Sequence, residues 1–253
     1  MVRSVPPAET VTSGSDVCAV VHAYYPELFG EIVEHLGRCV SLRHVIVTYC
    51  DPNVENVITA TAAPLVRNGV AVDTVLVDNR GRDMLPFVTV APQALATGCR
   101  AFIKLHTKRS PHLGDEGDRW RRELLDGLLP DPLTIAGVSR WCTEEPNVGF
   151  GVPGRYLGTW AHRGKNHRNV RRLARRIGLR APLRLLFPAG GMYWCTADWL
   201  AAVVSLGLTK GDFEQEAGQV DGTTAHALER LIGCYAMSRR AVLWLPEDSR
   251  GRA

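Results

Sequence analysis

The sequence contains no long apolar stretch that is free of charged residues. No segment reaches the length of a membrane-spanning helix, and residues 1–16 lack the apolar core of a signal peptide. We therefore expect a protein of the reducing cytoplasm, with a disordered lead-in over 1–16 and a tail over 246–253. The 253 residues, 45% of them hydrophobic, are enough for one large domain over 17–245.

Closely spaced cysteines are missing as well. The chain has seven cysteines, an odd number, and no two of them form a Cys-x-x-Cys pair. This distribution argues against a disulfide framework and against a thiolate zinc site. Most of the cysteines have apolar neighbours in the sequence, so we expect them to be small core residues.

Several signatures of common enzyme classes are absent. There is no Gly-x-Ser-x-Gly motif, no Gly-x-Gly-x-x-Gly motif after the first strand, and no His-x-His or His-Glu-x-x-His spacing. These absences argue against an α/β-hydrolase, a nicotinamide-dependent enzyme and a histidine-based zinc site. The carboxylates are also spread over distant loops. We therefore predict that no metal cofactor is required, with a divalent metal as the alternative.

Acidic residues are missing from 162–184, which is rich in arginine. A basic helical insertion is predicted over 155–184, with apolar residues on one helix face. The arginines of the other face are Arg168, Arg171, Arg172, Arg175 and Arg176. Anionic lipid attracts such a face, which predicts peripheral contact with the inner face of the plasma membrane through 163–180. Nucleic acid is the competing partner, but the aromatic residues expected of a single-strand binder are scarce here.

The most informative stretch of the chain contains two apolar strands that each run into a charged loop. Val72–Val77 leads into the loop 78–83, and Ala101–Leu105 leads into the loop 106–110. Met84–Thr97 is long and apolar enough to be a crossover helix between the strands, which favours parallel pairing. Both loops then lie at the carboxyl edge of the sheet, where open α/β sheets bind their ligands.

The same alternation of strands and helices extends along most of the chain. Helical patterns separate the apolar runs from one another. Further strands are predicted at Val17–His22, Val45–Tyr49, Asn147–Val152 and Ala241–Leu245, with a return to the sheet at Leu185–Cys195. This pattern predicts an α/β fold in one domain, with a mostly parallel sheet and helices on both faces.

Five sequence blocks stand in order along the chain: VDNRGRDMLPF, FIKLHTKRSPH, GDRWRRELLDGLL, FPAGGMYW and GQVDGTTAHALERL. They resemble the blocks of the rhamnan synthesis protein F family of bacterial polysaccharide-biosynthesis proteins, and the resemblance covers about Val17 to Leu245. The family is regarded as glycosyltransferase-like. The resemblance therefore implies a Rossmann-like nucleotide-sugar-binding domain of the glycosyltransferase A type. It also implies transfer of a sugar, rhamnose from a dTDP donor, to a cell-surface polysaccharide or a lipid-linked glycan.

Two other functions stay open from the sequence. A catalytically silent subunit would bind a nucleotide sugar or a glycan within a synthesis complex without turning it over. A basic nucleic-acid-binding protein would use the arginines and show a steep salt dependence of binding. Donor turnover separates an enzyme from the silent subunit, and oligonucleotide binding without nucleotide-sugar binding indicates the nucleic-acid-binding protein.

The loop that follows Ala101–Leu105 is the first candidate for binding the donor's diphosphate. Many enzymes of the implied fold hold a metal at this place with an Asp-x-Asp motif, whereas this chain has cations and a hydroxyl. Fixed cations can contact a diphosphate directly. The diphosphate is therefore assigned to Lys104, His106, Thr107, Lys108 and Arg109. The alternative is a solvated basic loop that binds no ligand.

The loop 78–83 is the second part of the predicted donor site. Asp78 and Asn79 stand at the mouth of the strand and are expected to bind donor hydroxyls, while Arg80 reaches phosphate. Asp83 has two interpretations of equal weight, a ligand of the donor or the N-cap of the next helix.

The base and the sugar of the donor need contacts of other kinds. His22 and Tyr24 follow the first predicted strand and are expected to stack on or hydrogen-bond the base. Gly190 and Gly191, followed by Tyr193, are expected to approach the sugar or the acceptor closely. The alternatives are a core position for the aromatic residues and a bulge or tight strand crossing for the glycines.

Asp221 is the predicted general base for the acceptor hydroxyl, with Glu216 second. In the implied fold, the acceptor-activating carboxylate commonly follows the glycine-rich strand. The alternative, of about equal weight, is that Asp221 or Thr223 only caps the following helix. His226 is assigned to contact with phosphate or with a carboxylate of the site, although a lone helix histidine is more often structural.

Overall fold

The computed structural model describes residues 2–107, 109, 115–145, 147–159, 161, 164–182, 185–239 and 242–245, of which 13, 115 and 242–245 are described by their backbone alone. Lys108 and the predicted tail therefore lie outside the described residues. All seven cysteines lie inside them, each is a free thiol, and all but Cys50 are buried. The prediction of small core cysteines without a disulfide framework is thus confirmed.

Ten strands form two sheets within the residues that the structure describes. They are β1 (Val2–Ser4), β2 (Val17–His22), β3 (Leu42–Tyr49), β4 (Ala71–Leu76), β5 (Ala101–His106), β6 (Gly151–Pro153), β7 (Leu157–Gly158), β8 (Phe187–Pro188), β9 (Tyr193–Thr196) and β10 (Val242–Leu245). The larger sheet has eight strands in the order β1-β10-β6-β9-β5-β2-β3-β4, and β7 pairs with β8. In the larger sheet β9 runs antiparallel to both neighbours, and the other pairs are parallel.

Eight helices flank the larger sheet in the described part of the chain. They are α1 (Phe29–Leu36), α2 (Glu55–Arg67), α3 (Met84–Ala96), α4 (Asp115–Leu128), α5 (Pro132–Glu144), α6 (His167–Arg176), α7 (Ala197–Ser205) and α8 (Thr224–Ser238). The crossover helix α3 packs on β2 and β3 and also contacts α7 and α8, whereas α1 packs with α2 and α4. The predicted α/β architecture with a mostly parallel sheet is therefore confirmed.

The centre of the sheet is buried on both of its faces. Every residue of β2 is buried, and in β5 only His106 at the end is partly exposed. This explains why these strands read as continuous apolar runs rather than as alternating patterns. Lys104 of β5 is charged and is nevertheless buried, and its partners belong to the site described below.

Only the second half of the predicted return segment joins the larger sheet. The predicted stretch Leu185–Cys195 divides into β8 and β9, which are separated by a turn at Gly190 and Gly191. Because β8 pairs with β7, part of the predicted insertion 155–184 belongs to a small second sheet. The strand predicted over Asn147–Val152 is confirmed only for its end, since β6 spans Gly151–Pro153.

The lead-in predicted to be disordered is ordered in residues 2–16. Residues Val2–Ser4 pair in parallel with β10, and Val5 and Ala8 are buried. The backbone N–H of Ala8 donates to the carbonyl of Leu133 at the start of α5, 2.9 Å away. The prediction was wrong because a segment rich in proline and serine reads as a loop, although here its few apolar side chains and backbone groups find partners.

Of the helices in the described ranges, none combines the length and the apolar character that crossing a membrane requires. The longest, α8, has 15 residues.

Candidate functional site

The ends of three neighbouring strands bring polar side chains to the carboxyl edge of the sheet. His22 is in register with Thr48 on one side and with His106 on the other. The Nδ1 atom of His22 lies 3.0 Å from the hydroxyl of Thr48, which donates to the carbonyl of Val21. Since that hydroxyl gives its proton to Val21, Nδ1 of His22 is the donor in the first bond.

Thr107 fixes the loop that follows β2. Its buried hydroxyl accepts a hydrogen bond from the N–H of Tyr25 at 2.8 Å and donates to the carbonyl of His22 at 3.3 Å. Both partners are backbone groups, so Thr107 holds the start of the loop against the end of β5. The predicted role of Thr107 in diphosphate binding is therefore replaced by a structural one.

A buried ion pair lies directly beneath this edge. The Lys104 side chain is 1% exposed, and its ammonium donates to the carboxylate of Asp83 and to the carbonyl of Gly191, which is 2.7 Å away. The rings of Phe87 and Tyr193 lie 5.6 and 5.8 Å from the ammonium. Because the ammonium is buried and bonded to Asp83 and Gly191, Lys104 supports the edge from beneath and does not expose its charge to a diphosphate, in contrast to its predicted role.

The carboxylate of Asp83 is held in its charged form. Burial acts to raise the pKa of Asp83, but the Lys104 ammonium outweighs it, with smaller contributions from His106 and His22, and the pKa lies well below its usual range. Asp83 precedes α3 but makes no side-chain capping bond to it. The carboxylate of Asp83 is therefore the counterion of Lys104. This role differs from both predicted ones, the ligand of the donor and the N-cap of the next helix.

The turn at Gly190 and Gly191 is bound to the protein from three directions. The N–H of Gly190 donates to Glu229 on α8 at 2.9 Å, and its carbonyl accepts from Nε2 of His106 at 2.8 Å. Both glycines have positive φ angles, of 95° and 72°, and a Cβ atom on Gly191 would lie 3.0 Å from the Asp83 carboxylate. The close approach that requires glycine here is therefore to the protein itself, as the alternative interpretation held.

Tyr193 lies in the core behind this turn. Its side chain is 1% exposed, and its hydroxyl accepts a hydrogen bond from the indole N–H of Trp199 at 3.3 Å. The phenol ring also packs edge-on against Phe87. The predicted contact between Tyr193 and the sugar is wrong, because no part of the side chain reaches the edge of the sheet.

The outer rim of the edge carries an exposed aromatic residue beside a cleft. Tyr24 is 44% exposed, and its hydroxyl lies 3.5 Å from the side-chain amide of Asn79. Asn79 and Asp78 line a cleft of about 530 Å³ between the ends of β3 and β4 and the segment that contains Lys210. The Lys210 ammonium is 2.7 Å from the Asp78 carboxylate. These residues form the rim cluster, defined here as Tyr24, Asp78, Asn79 and Lys210.

The arginines near the rim are bound to protein groups. The Nε atom of Arg80 donates to the carbonyl of Phe213 at 2.7 Å. Arg109 pairs with Glu27 at 2.9 Å and lies over the ring of Tyr25, with the guanidinium carbon 5.1 Å from the ring centre. The pair of Arg109 with Glu27 is exposed, so it can exchange partners readily.

Asp221 joins the loop before α8 to the loop before α6. Its carboxylate accepts from the N–H of Lys165 at 2.7 Å and from the side-chain amide of Asn166. Burial acts to raise the pKa of Asp221, but these two bonds, a bond from the N–H of Gly222 and the nearby Arg230 guanidinium lower it overall. A carboxylate held in this way is a weak base. It does not cap α8 either, since that role belongs to Thr223.

Glu216, the second predicted base, is more available. Its side chain is exposed, and one carboxylate oxygen accepts from the N–H of Arg82 at 3.0 Å. Arg82 has a positive φ of 55°, and its guanidinium donates to the carbonyl of Gln219. Because Arg82 immediately precedes Asp83, these bonds hold Glu216 next to the carboxyl edge.

His226 is a structural residue of the first turn of α8. Its Nδ1 atom lies 2.7 Å from the hydroxyl of Thr223, the capping residue of the helix. Burial and the nearby Arg82 guanidinium lower the pKa of His226 from its ordinary value of 6.5. The side chain is only 9% exposed, which leaves little surface for a ligand.

Sequence reasoning missed three residues of this edge. Glu229 was not among the predicted site residues, and its bond to Gly190 joins positions that are 39 residues apart. Both Lys210, which begins a short 3-10 helix, and Cys50, which follows β3, line the cleft, and neither belongs to a recognisable motif. The spacing of Glu229 and His226 on one predicted helix was the only sequence signal for Glu229, and it did not identify Gly190 as the partner.

The pH dependence of stability tests the environment of His22. Burial, with help from His106 and Lys104 and against Asp83, lowers the pKa of His22 from 6.5 to about 4. Between these two pH values the unfolded chain binds a proton at His22, whereas the folded protein does not. The stability contributed by neutral His22 is therefore fully present above pH 6.5 and is lost as the pH falls towards 4. We expect wild type to lose about 2 kcal/mol more unfolding free energy than His22→Gln between about pH 7 and pH 4.5. Urea unfolding at both pH values measures this, and equal losses would contradict it.

Among the described residues, no group of three or more histidine, cysteine, aspartate or glutamate residues is arranged to hold a metal ion. The carboxylates of Asp83 and Asp221 are instead bonded to Lys104 and to the 165–166 segment.

Comparisons with known proteins give a consistent assignment. A family model described as rhamnan synthesis protein F matches residues 2–241. An uncharacterized protein named WxcX from Xanthomonas campestris pv. campestris strain B100 is 34% identical over 230 residues, which covers 90% of this chain. WxcX of strain ATCC 33913 has the same identity over the same length. The chain spans 32% of the length of each of these relatives.

Proposed function

The chain belongs to the rhamnan synthesis protein F family, and we propose that it is a glycosyltransferase that uses a nucleotide-sugar donor. The family has a role in the synthesis of rhamnan and related polysaccharides. We propose rhamnose from a dTDP donor as the sugar and a cell-surface polysaccharide or lipid-linked glycan as the acceptor, on the cytoplasmic side of the membrane. The proposed fold type is the glycosyltransferase A type.

The observation that carries the proposal is the rim cluster and its cleft at the carboxyl edge. A volume of about 530 Å³ is within the range of small-molecule sites. Ligands of open α/β sheets bind at this edge. The cluster combines an exposed aromatic ring, an amide, a carboxylate and an ammonium, which suit a base, sugar hydroxyls and phosphate.

The charge of the donor's diphosphate needs cations that can change partners. Lys104 is unsuitable, because it is buried and paired with Asp83. Lys210 and Arg109 are both exposed, and their ion pairs with Asp78 and Glu27 are exposed too. Exposed pairs contribute less than about 1 kcal/mol each, so a diphosphate can replace the carboxylates at little cost. We assign the diphosphate to these two cations, together with His106 at the edge and the predicted Lys108.

Glu216 is proposed as the base that accepts the proton of the acceptor hydroxyl. A general base must be reachable by the substrate and must gain a proton readily. Glu216 is exposed and has one bond to a backbone N–H, whereas several donors lower the pKa of Asp221. This reverses the order of the two carboxylates predicted from the sequence.

The catalytically silent subunit is the second candidate function. Several side chains that were predicted to act on substrate, notably Lys104 and Asp221, are engaged in internal bonds. Such an arrangement also suits a domain that binds a nucleotide sugar or a glycan without reaction.

Donor turnover distinguishes the two candidates. The purified protein is incubated with a panel of nucleotide sugars, with and without lipid-linked or oligosaccharide acceptors and with and without EDTA. We expect release of nucleoside diphosphate from one donor, with dTDP-rhamnose first. Loss of turnover in EDTA would establish a metal requirement, whereas binding without turnover under all conditions would favour the silent subunit.

The base of the donor is expected to stack on Tyr24. Replacing Tyr24 by alanine should weaken binding of the nucleoside diphosphate between about fivefold and a hundredfold, the effect of losing one base–aromatic stack. Tyr24→Phe keeps the ring and serves as the matched control, with little change in affinity. Isothermal titration calorimetry measures both variants. Equal affinity of wild type and Tyr24→Ala would exclude the rim cluster as the nucleoside site.

A further inference from the structure

The helix α6 presents a strongly basic surface. Its exposed arginines are Arg168, Arg171, Arg172, Arg175 and Arg176. No acidic residue occurs anywhere in 162–184. A helix of ten residues thus carries five positive charges on its solvent side.

The apolar face of α6 is already covered by the protein. Val170, Leu173 and Ala174 are buried, and the helix packs against α8. The side-chain amide of Asn169 also donates to the carbonyl of Gly222 at 3.1 Å. The helix therefore has no apolar face to insert into a bilayer or a partner groove, and only its charged face is available.

Most of these charges are not neutralised within the described structure. Arg176 pairs with Asp212 at 3.0 Å, and Arg172 donates to the hydroxyl of Thr224 at 3.3 Å. Within the ranges that the structure describes, Arg168, Arg171 and Arg175 have no carboxylate partner within 4.0 Å. Arg168 and Arg172, like Arg171 and Arg175, are four residues apart, and such like-charged pairs repel one another on a helix. An external anionic surface would relieve this repulsion.

The basic face is fixed relative to the candidate site. Asp221 binds the N–H of Lys165 and the side chain of Asn166, which lie just before α6. The loop before α8 contains Glu216 as well as Asp221, and the carboxylate of Glu216 accepts from the N–H of Arg82 beside the carboxyl edge. A surface that binds α6 therefore also sets the orientation of that edge.

We propose that the arginines of α6 form a docking surface for an anionic lipid bilayer. Binding is electrostatic and lies at the headgroups, because the apolar face of the helix is buried. The surface goes beyond the proposed function, since adsorption to lipid needs no donor and no turnover. Nucleic acid is the less favoured partner, because α6 has no aromatic residue on which bases could stack.

Vesicle sedimentation with matched variants tests this surface. Vesicles of phosphatidylcholine alone are compared with vesicles that also contain phosphatidylglycerol. The test variant is Arg168→Gln, Arg171→Gln and Arg175→Gln combined. The control combines Arg43→Gln, Arg67→Gln and Arg100→Gln, three exposed arginines at the opposite edge of the sheet, and so changes the net charge equally.

We expect wild type and the control to bind the phosphatidylglycerol vesicles and to be released by salt. The test variant should bind about a hundredfold more weakly, as three lost arginines near an anionic surface imply. A variant with lysine at the same three positions should retain binding, which separates charge from any structural role of the guanidinium groups. This lysine variant keeps the test valid if the glutamine variant folds poorly.

Three results with the vesicles would overturn the proposal. They are absence of binding to phosphatidylglycerol vesicles, equal binding by the test and control variants, and loss of binding in the folded lysine variant. Tighter binding of an oligonucleotide than of the vesicles at the same salt concentration would also overturn it, in favour of nucleic acid.

Discussion

Replacing Lys104 by methionine is expected to lower the free energy of unfolding by about 3–5 kcal/mol, the usual cost of leaving one member of a buried ion pair without its partner. The Asp83 carboxylate would remain in a site where its side chain is only 15% exposed, and the carbonyl of Gly191 would lose its donor. The loss should appear in urea unfolding followed by circular dichroism. Because the pair supports the turn at Gly190 and Gly191, the variant should also lose donor turnover.

Two controls make this expectation specific. In the double variant Lys104→Met with Asp83→Leu, neither charge remains, and most of the lost stability should return. Lys210→Met removes an ammonium whose pair with Asp78 is exposed, and it should cost less than about 1 kcal/mol. If Lys104→Met unfolds within about 1 kcal/mol of wild type, the ion pair is not the support of this edge.

Glu216→Gln is expected to lower kcat for sugar transfer by about 100-fold or more, the contribution of a positioned general base. Its KM for the donor and its unfolding free energy should stay near those of wild type, because the side chain is exposed and an amide oxygen can still accept from the N–H of Arg82. Steady-state kinetics with the donor identified in the panel measures both constants.

Asp221→Asn is the matched comparison and should act mainly on stability. The new amide nitrogen would place a donor group against one of the two present donors, the N–H of Lys165 or the side-chain amide of Asn166, at a cost of about 1–3 kcal/mol for the unsatisfied bond. Its kcat should fall less than that of Glu216→Gln. Loss of kcat in Asp221→Asn at unchanged stability, with an active Glu216→Gln, would restore Asp221 as the base.

The central sheet could be predicted from the sequence because its strands are buried on both faces. The apolar runs at Val17–His22 and Ala101–Leu105 identify β2 and β5 almost to the residue. The crossover helix between β4 and β5 followed from its length and composition, and both strands run parallel with their charged loops at one edge. The pairing expected between these two strands was wrong, because β2 and β3 lie between them. The antiparallel course of β9 carried no signal, since a turn at two glycines does not specify strand direction.

The side-chain partners at the site could not be predicted in the same way. Lys104 was expected to bind the diphosphate together with His106, but β5 is central and buries that lysine beneath the edge. Its partners Asp83 and Gly191 lie 21 and 87 residues away in the chain. Pattern and spacing describe neighbours along one element, whereas these bonds join different elements. The role of Lys108 in diphosphate binding and the identity of the donor sugar stay predictions.

The location of a bound nucleoside diphosphate tests the central claim most directly. A crystal structure of the chain with dTDP should place the base on Tyr24 and the diphosphate beside Lys210, in the cleft lined by Asp78 and Asn79. Binding at this place would support a nucleotide-dependent function for the carboxyl edge. Binding elsewhere, for example in the cleft of about 650 Å³ lined by Asn147, Tyr235 and Arg239, would contradict it.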